Sequence, residues 1–449
     1  MGNRILVPFV GDGSGTGPLS WGQRLMWNAI QRWESSLALG GVSPLPDGMT
    51  TETIAAALSF IMGRHQSLRT RICTLPDGRL QQEVAAAGAI MLELVDVPAG
   101  QDPAAVAERV RDGYHRVQFE YANEWPVRMA VVRVDGAPVY LVALYCHLAL
   151  DGFGLDALLA DVAALDRAGP VTASQPLAQA EWETGPAGQR HNERTLRYWD
   201  RQLRAVPASR FSAPAGCPPP RFREIRAQSP ALDLAARLIA ARTGVDTPAV
   251  LLAASATALA RVTGNNPSVM LILVSNRFRA GFADSVSTVS QPGLCVIDVA
   301  DATFDEAVAR AWRASLNTYK YAYCDPTQRD ALHARISAER GEEVDISCYF
   351  NDRRTTDPAA PVPTAADVRA ALPASSLHWS PTPFDPASEP FFVYLNDVPG
   401  TVDLRVSLDT RYVAPADAEA YVRELEASAV EAALDPAATT GVRRREELV

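Results

Sequence analysis

Two kinds of apolar pattern run through the chain. In one, apolar residues recur every three or four positions, the spacing of a buried helix face. Leu25, Met26, Ile30 and Trp33 form such a set, with Ser20 and Gln23 ahead of them in capping-box spacing. Ile54, Leu58, Ile61 and Met62 predict a helix over 51–63, and Leu155, Leu158, Leu159, Val162 and Leu165 predict another. TPAVLLAASATALARVTG (247–264) is apolar almost all round, which predicts a buried helix. Thr247 is placed to cap it, Pro248 to start it and Gly264 to end it. Helices are also predicted over 303–319 and 415–434.

The other pattern is a short run that is apolar throughout. VYLVALYC (139–146) and VMLILVSN (269–276) read as buried strands. Further strands are predicted around 80–96, 126–134, 343–351, 391–396 and 402–408. Residues 168–190, polar and rich in Pro, Gly and Ala, read as a linker. Residues 353–390 read as a long surface excursion, and the terminal RRREELV as a frayed tail.

Length and composition narrow the picture. The 449 residues suit two domains of roughly 200 residues each. Apolar content of 47% with 21% charged residues is globular. A net charge of −10 argues against nucleic acid or an anionic membrane as partner. Only one basic residue, Lys320, is a lysine, which by count nearly excludes a P-loop or Schiff-base lysine. The six cysteines (73, 146, 217, 295, 324, 348) form no CxxC pair, which suits reduced thiols and a cytoplasmic setting. ILVPFV is too short for a signal-peptide core, Leu6 breaks the myristoylation pattern, and no run of 18 apolar residues predicts a membrane span. GDGSGTG (11–17) has Thr16 where a dinucleotide fingerprint needs its third glycine, and reads as a flexible loop. LGGVSPL (39–45) looks like a phosphopantetheine site but has no small helical domain around it, so no tethering arm is expected on this chain.

Chemistry concentrates in YCHLALDGFGL (145–155). If the preceding strand runs through His147, Cys146 and His147 point to opposite faces and cannot share one pocket. Gly152 permits a tight turn or close approach. Asp151, if buried, needs a cationic partner. Taken alone HxxxDG is a short pattern, and a packed histidine beside a loop aspartate is its plainer reading. The chain has no GxSxG elbow, no HExxH and no Cys/His set with metal spacing. His65, His115, His191, His333 and His378 are isolated, so neither metal nor bound cofactor is expected. No ATP-binding motif appears either.

Beyond that segment, the chain resembles the condensation domains of nonribosomal peptide synthetases, within the chloramphenicol-acetyltransferase-like superfamily. SWGQRLMW resembles the first family motif, RHQSLRTRI the second (RHExLRTxF) and CHLALDGFGL the central HHxxxDG. YWDRQL, TPAVLLAASATALARVTGNNPSVMLILVSNR and QPGLCVIDV follow in family order, the last where IGxFVN is usual. The resemblance implies an α+β (mixed α/β) fold. Two acyltransferase-like lobes, 1–180 and 181–449, would form a V-shaped pseudo-dimer with a tunnel between them.

His147 matches the second motif histidine and is the candidate catalytic residue. The family implies two roles for it: proton acceptor from the nucleophile, or positioner and oxyanion stabiliser. Asp151 matches the structural aspartate and Arg277 its inter-lobe partner, with Arg279 the nearest competitor. Gly152 supports the same turn. Asn351, in CYFND, is a candidate for the tunnel wall, against a plain turn residue. His65 matches a structural position. Cys146 stands where the family has its first histidine and Ile297 where it has asparagine, and no clear PFE segment follows.

The expected function is that of a free-standing, monomeric condensation enzyme. It would join an acyl thioester, presented on the phosphopantetheine of a separate carrier protein, to a small amine or alcohol acceptor. The rivals are an acyl-CoA-dependent acyltransferase of the same fold and a catalytically silent carrier-binding module.

Overall fold

The computed structural model describes residues 3–167, 169–212, 214, 216, 219–355, 361–381 and 389–444. Cys217, part of the 353–390 excursion and most of the terminal tail therefore lie outside the described residues. The chain divides into two compact units. The first comprises Met1–Glu193, Ser275–Gln291 and Asp325–Thr327, and the second Arg194–Val274, Pro292–Cys324 and Gln328–Val449.

In chain order, the first unit carries β1 (Asn3–Val10), β2 (Gly15–Pro18), α1 (Trp21–Trp33), β3 (Leu39–Pro44), α2 (Thr51–Arg64), β4 (Thr70–Thr74), β5 (Leu80–Val84) and β6 (Ala87–Asp96). It continues with α3 (Pro103–Arg116), β7 (Val127–Val134), β8 (Ala137–Tyr145), α4 (Gly152–Ala163) and α5 (Pro176–Thr184). A five-stranded sheet runs β1-β6-β7-β8-β3, and a three-stranded sheet runs β2-β5-β4. Strand β8 pairs antiparallel with both β7 and β3, and its end at Tyr145 lies opposite Val127 and Leu39. Ser20 caps α1 in the predicted capping box with Gln23.

Helix α6 (Pro186–Ala205) leads into the second unit. There follow β9 (Phe222–Ser229), α7 (Pro230–Thr243), α8 (Thr247–Thr263), β10 (Ser268–Val274), β11 (Gln291–Ile297), α9 (Phe304–Lys320), α10 (Pro326–Arg340) and β12 (Cys348–Asp352). The chain ends in α11 (Ala365–Ala371), β13 (Ser376–Trp379), β14 (Phe391–Asn396), β15 (Val402–Asp409) and α12 (Pro415–Leu434). Seven strands form one sheet in the order β11-β10-β12-β14-β15-β9-β13. The core packs α7, α8, α9 and α12 against one face of that sheet, with α8 buried along nearly its whole length. Among the described residues no single helix is long and apolar enough to cross a membrane.

Several expectations are corrected. The supposed linker 168–190 is largely helical, because Pro176 and Pro186 open α5 and α6 and Gly185 ends the first of them. GDGSGTG is not a slack loop: its second half is strand β2, and Arg69, fully buried, donates to the carbonyls of Asp12, Gly13 and Ala85. A Cβ at Gly11 would lie 2.1 Å from the Gly63 carbonyl, so glycine serves close approach there. Ser43 of LGGVSPL sits in strand β3, which corrects nothing, since that segment is not expected to be a phosphopantetheine site. Helix α8 is capped by Asp246 rather than Thr247. The 353–390 excursion contains α11 and β13, and β13 extends the sheet beside β9.

Candidate active site

The site is built on the connection between β8 and α4. The strand ends at Tyr145, so Cys146 and His147 are not sorted by strand alternation. They lie in a turn closed by the Ala149 amide on the Cys146 carbonyl (2.9 Å) and held by the Cys146 amide on the Pro126 carbonyl (2.9 Å). Cys146 is turned fully inward, packed with Leu19, Ile30, Phe119 and Leu148. Burial pushes its thiol up to about 12, so it holds its proton and is no nucleophile.

His147 keeps part of its surface open. Its Nδ1 is buried and has no hydrogen-bond partner. Burial lowers the pKa of the ring, against the opposing pull of the Asp151 charge and the backbone at His147 and Leu150. Among the described residues no carboxylate meets its ring nitrogens, and a neutral imidazole is presented at the turn.

Asp151 is 2% exposed and caps α4, accepting the Gly154 amide at 2.8 Å on Oδ1. Arg277 forks it, with Nη2 2.7 Å from Oδ1 and Nη1 3.1 Å from Oδ2. The amides of Val289 (3.0 Å) and Ser290 (2.8 Å) complete Oδ2. Burial opposes the charge, but Arg277 and the Ser290 contacts outweigh it and hold the carboxyl below its ordinary range. With both oxygens so engaged, Asp151 is an architectural anion and not an acid–base partner of His147. Arg279 instead bonds Asn276 Oδ1 at 3.1 Å. Close approach falls at Gly154, where a Cβ would lie 3.0 Å from the Ser287 carbonyl and 3.3 Å from Arg277 Nη2. Gly152 faces open space, so the tight-approach role expected for it belongs two residues later.

The segment Ser275–Gln291, which carries Arg277, completes this part of the first unit. Arg277 also donates to the carbonyls of Ser275, Ser285 and Ser287. Thr288 Oγ1 donates to the His147 carbonyl at 2.7 Å. The Thr288 carbonyl packs so closely on Gly22 that a Cβ there would lie 1.8 Å away. Buried Gln179 donates to Ser287 Oγ (2.6 Å) and Ser285 Oγ (3.1 Å), and Asn276, with φ +58, donates to the Val289 carbonyl (2.9 Å). Sequence reasoning missed Gly22, Gly154, Gln179, Asn276 and Thr288. Only the serine-rich SVSTVS beside a glycine-bearing helix start hinted that backbone approaches side chains there.

Two further residues complete the placement. His65 is buried 3.1 Å from Asp161, with burial lowering its pKa to about 4, which suits packing. Asn351 lies in the second unit on β12. Among the described residues, no His/Cys/Asp/Glu group could hold a metal ion.

The condensation-domain family model matches residues 14–323, and the chain belongs to that family. It is 26% identical over 325 residues to the isonitrile lipopeptide synthase of Mycobacterium tuberculosis, covering 68% of this chain and 13% of the synthase. The chain thus spans about an eighth of that relative's length. Among solved structures, it superimposes with a TM-score of 0.73 on the condensation domain that mediates chain release from the enacyloxin polyketide synthase (21% identity, 98% of this chain, 86% of that one). It superimposes with 0.71 on the teicoplanin-biosynthesis X-domain in its complex with OxyB (18% identity, 99% of each chain). The mixed α/β condensation-domain fold expected from the sequence is the fold observed.

Proposed function

We propose that this chain joins an acyl or aminoacyl thioester, carried on the phosphopantetheine of a carrier protein, to an amine or hydroxyl acceptor. The observation that carries the reading is the presentation of His147. A partly open, neutral imidazole stands on a turn braced by Asp151, Arg277 and Thr288, in a chain of the condensation-domain family. His147 accepts a hydrogen bond from the acceptor's N–H or O–H as its nitrogen or oxygen attacks the thioester carbonyl. The new C–N or C–O bond forms, the proton passes to the imidazole, and the C–S bond then breaks. The carrier thiolate takes the proton back from His147. Burial lowers the His147 pKa and so favours the neutral imidazole that accepts this proton.

Incubating the protein with acyl-carriers and pooled amines and alcohols, read by mass spectrometry, tests this. Wild type should release amide or ester, and His147→Ala should not. Matched acyl-CoA donors decide between carrier and CoA. A second reading, a recruiting module without turnover, draws on the teicoplanin X-domain, which is known in complex with OxyB. Carrier binding with no product from any donor would favour it.

A further inference from the structure

The seven-stranded sheet has a second face, opposite the larger core; α6 and α10 cover it at β10 and β11, and Tyr349 packs partly against that cluster. Alternation along β12 and β14 sends Cys348, Phe350, Val393 and Leu395 into that core. Tyr349, Asn351, Phe392 and Tyr394 are left on the other face, each half-buried. The parallel register sets Tyr349 beside Phe392 and Asn351 beside Tyr394. Phe392 and Tyr394 are stacked with centroids 4.0 Å apart and planes 12° from parallel, and Tyr349 follows at 5.2 Å from Phe392. The result is a strip of three rings across two strands.

Arg353 and Arg405 lie beside Tyr394, Arg354 follows in the chain, and their charges are met differently. Arg354 forks Asp352 at 2.9 and 2.8 Å. Arg405, opposite Tyr394 on β15, donates to buried Glu224. Arg353 lays its guanidinium 4.4 Å from the Tyr394 ring centroid and, among the described residues, has no carboxylate partner. Arg353 is solvent-exposed. A guanidinium on a ring that meets no carboxylate among the described residues has one natural complement, an anion. A flat group attached to that anion would use the aromatic surface as well.

We propose that this face binds an aromatic ligand bearing a carboxylate, with its ring against Phe392 and Tyr394, its carboxylate on Arg353 and a polar substituent within reach of Asn351. The proposal concerns binding at this face of the second unit and stands apart from the acyl-transfer reading. The probe is 4-aminobenzoate, which unites ring, carboxylate and nucleophilic amine. Calorimetric titration of the whole protein, without donor, should show saturable binding of 4-aminobenzoate and at least tenfold weaker binding of its methyl ester. Arg353→Gln should abolish that difference, Arg353→Lys should keep part of it, and Tyr394→Leu should weaken both ligands. Circular dichroism would verify that each variant is folded. Absence of saturable binding, equal binding of acid and ester, or indifference to Arg353→Gln overturns the site. Binding of 4-aminobenzoate with no product from any donor and acceptor would sink the acyl-transfer reading and leave the site standing. Turnover of other amines without 4-aminobenzoate binding would do the reverse.

Discussion

Replacing Asp151 by asparagine keeps the shape of the side chain and removes its charge. Five donors converge on the two carboxylate oxygens: the Gly154, Val289 and Ser290 amides and both terminal nitrogens of Arg277. An amide NH2 must face at least two of them, whichever way it is turned. Arg277 would remain with 11% of its side chain exposed and no anion. Breaking a buried ion pair from one side costs about 3–5 kcal/mol. For a unit of roughly 200 residues that corresponds to a fall in Tm of order 10 °C. Scanning calorimetry measures it, and a product assay should show activity lost in parallel. Asp151→Asn/Arg277→Gln should be less damaged than the two single changes together, because the second removes the stranded cation. There is also a pH signature. The Asp151 carboxyl is depressed in the folded state, so its contribution is fully present above its unfolded pKa near 4 and is lost as pH falls through the folded value. Wild-type stability should decline below about pH 4 more steeply than that of Asp151→Asn. A Tm shift under about 2 °C, or additive singles, would refute the brace.

Other outcomes follow from the same geometry. Cys146→Ala should keep most activity while His147→Ala loses roughly 10²-fold or more. With its thiol near 12, about one Cys146 in ten thousand is ionised at pH 8, so iodoacetamide mapping should leave it unmodified in folded protein. Gly152→Ala should be tolerated, since its Cβ meets open space, whereas Gly154→Ala should lower both Tm and turnover by pressing on the Ser287 carbonyl and Arg277. Equal effects of the two alanines would contradict that assignment. His65, neutral in the folded state down to about pH 4, makes the unfolded chain bind more protons between 6.5 and 4. Stability should therefore fall as pH drops through that window, and NMR titration of the His65 imidazole should show no midpoint above about 5.

What was legible in the sequence is what neighbouring residues encode. Helix α1, with its capping box, and strand β14 were readable because apolar period and cap chemistry lie within a few residues of one another. The HxxxDG turn was readable for the same reason, though not its mechanics. The prediction that Cys146 and His147 face apart relied on a strand running through His147, and it stops two residues earlier, at Tyr145. The thiol is inward because the turn drops it among Leu19, Ile30 and Phe119. The helices inside 168–190 were lost to composition, since prolines that open helices were read as prolines that prevent them.

The rest could not be read locally, because partners more than a hundred residues apart decide it. His147 is fixed through its own backbone carbonyl by Thr288, and Thr288 can reach it because position 22 has no side chain to obstruct its carbonyl. Asp151 is charged because Arg277, Val289 and Ser290 surround it, and Arg277 is aimed because Ser285 and Ser287 accept its spare donors. Gln179 in turn ties both serines by their hydroxyls, from a stretch whose composition looks like spacer. Each contact is ordinary, and none has a sequence period. The turn that presents His147 is therefore specified as much by Ser275–Gln291 as by the motif that bears the histidine. Substitutions at Thr288 or Gln179 should act on the site as strongly as changes in the motif's own spacer residues.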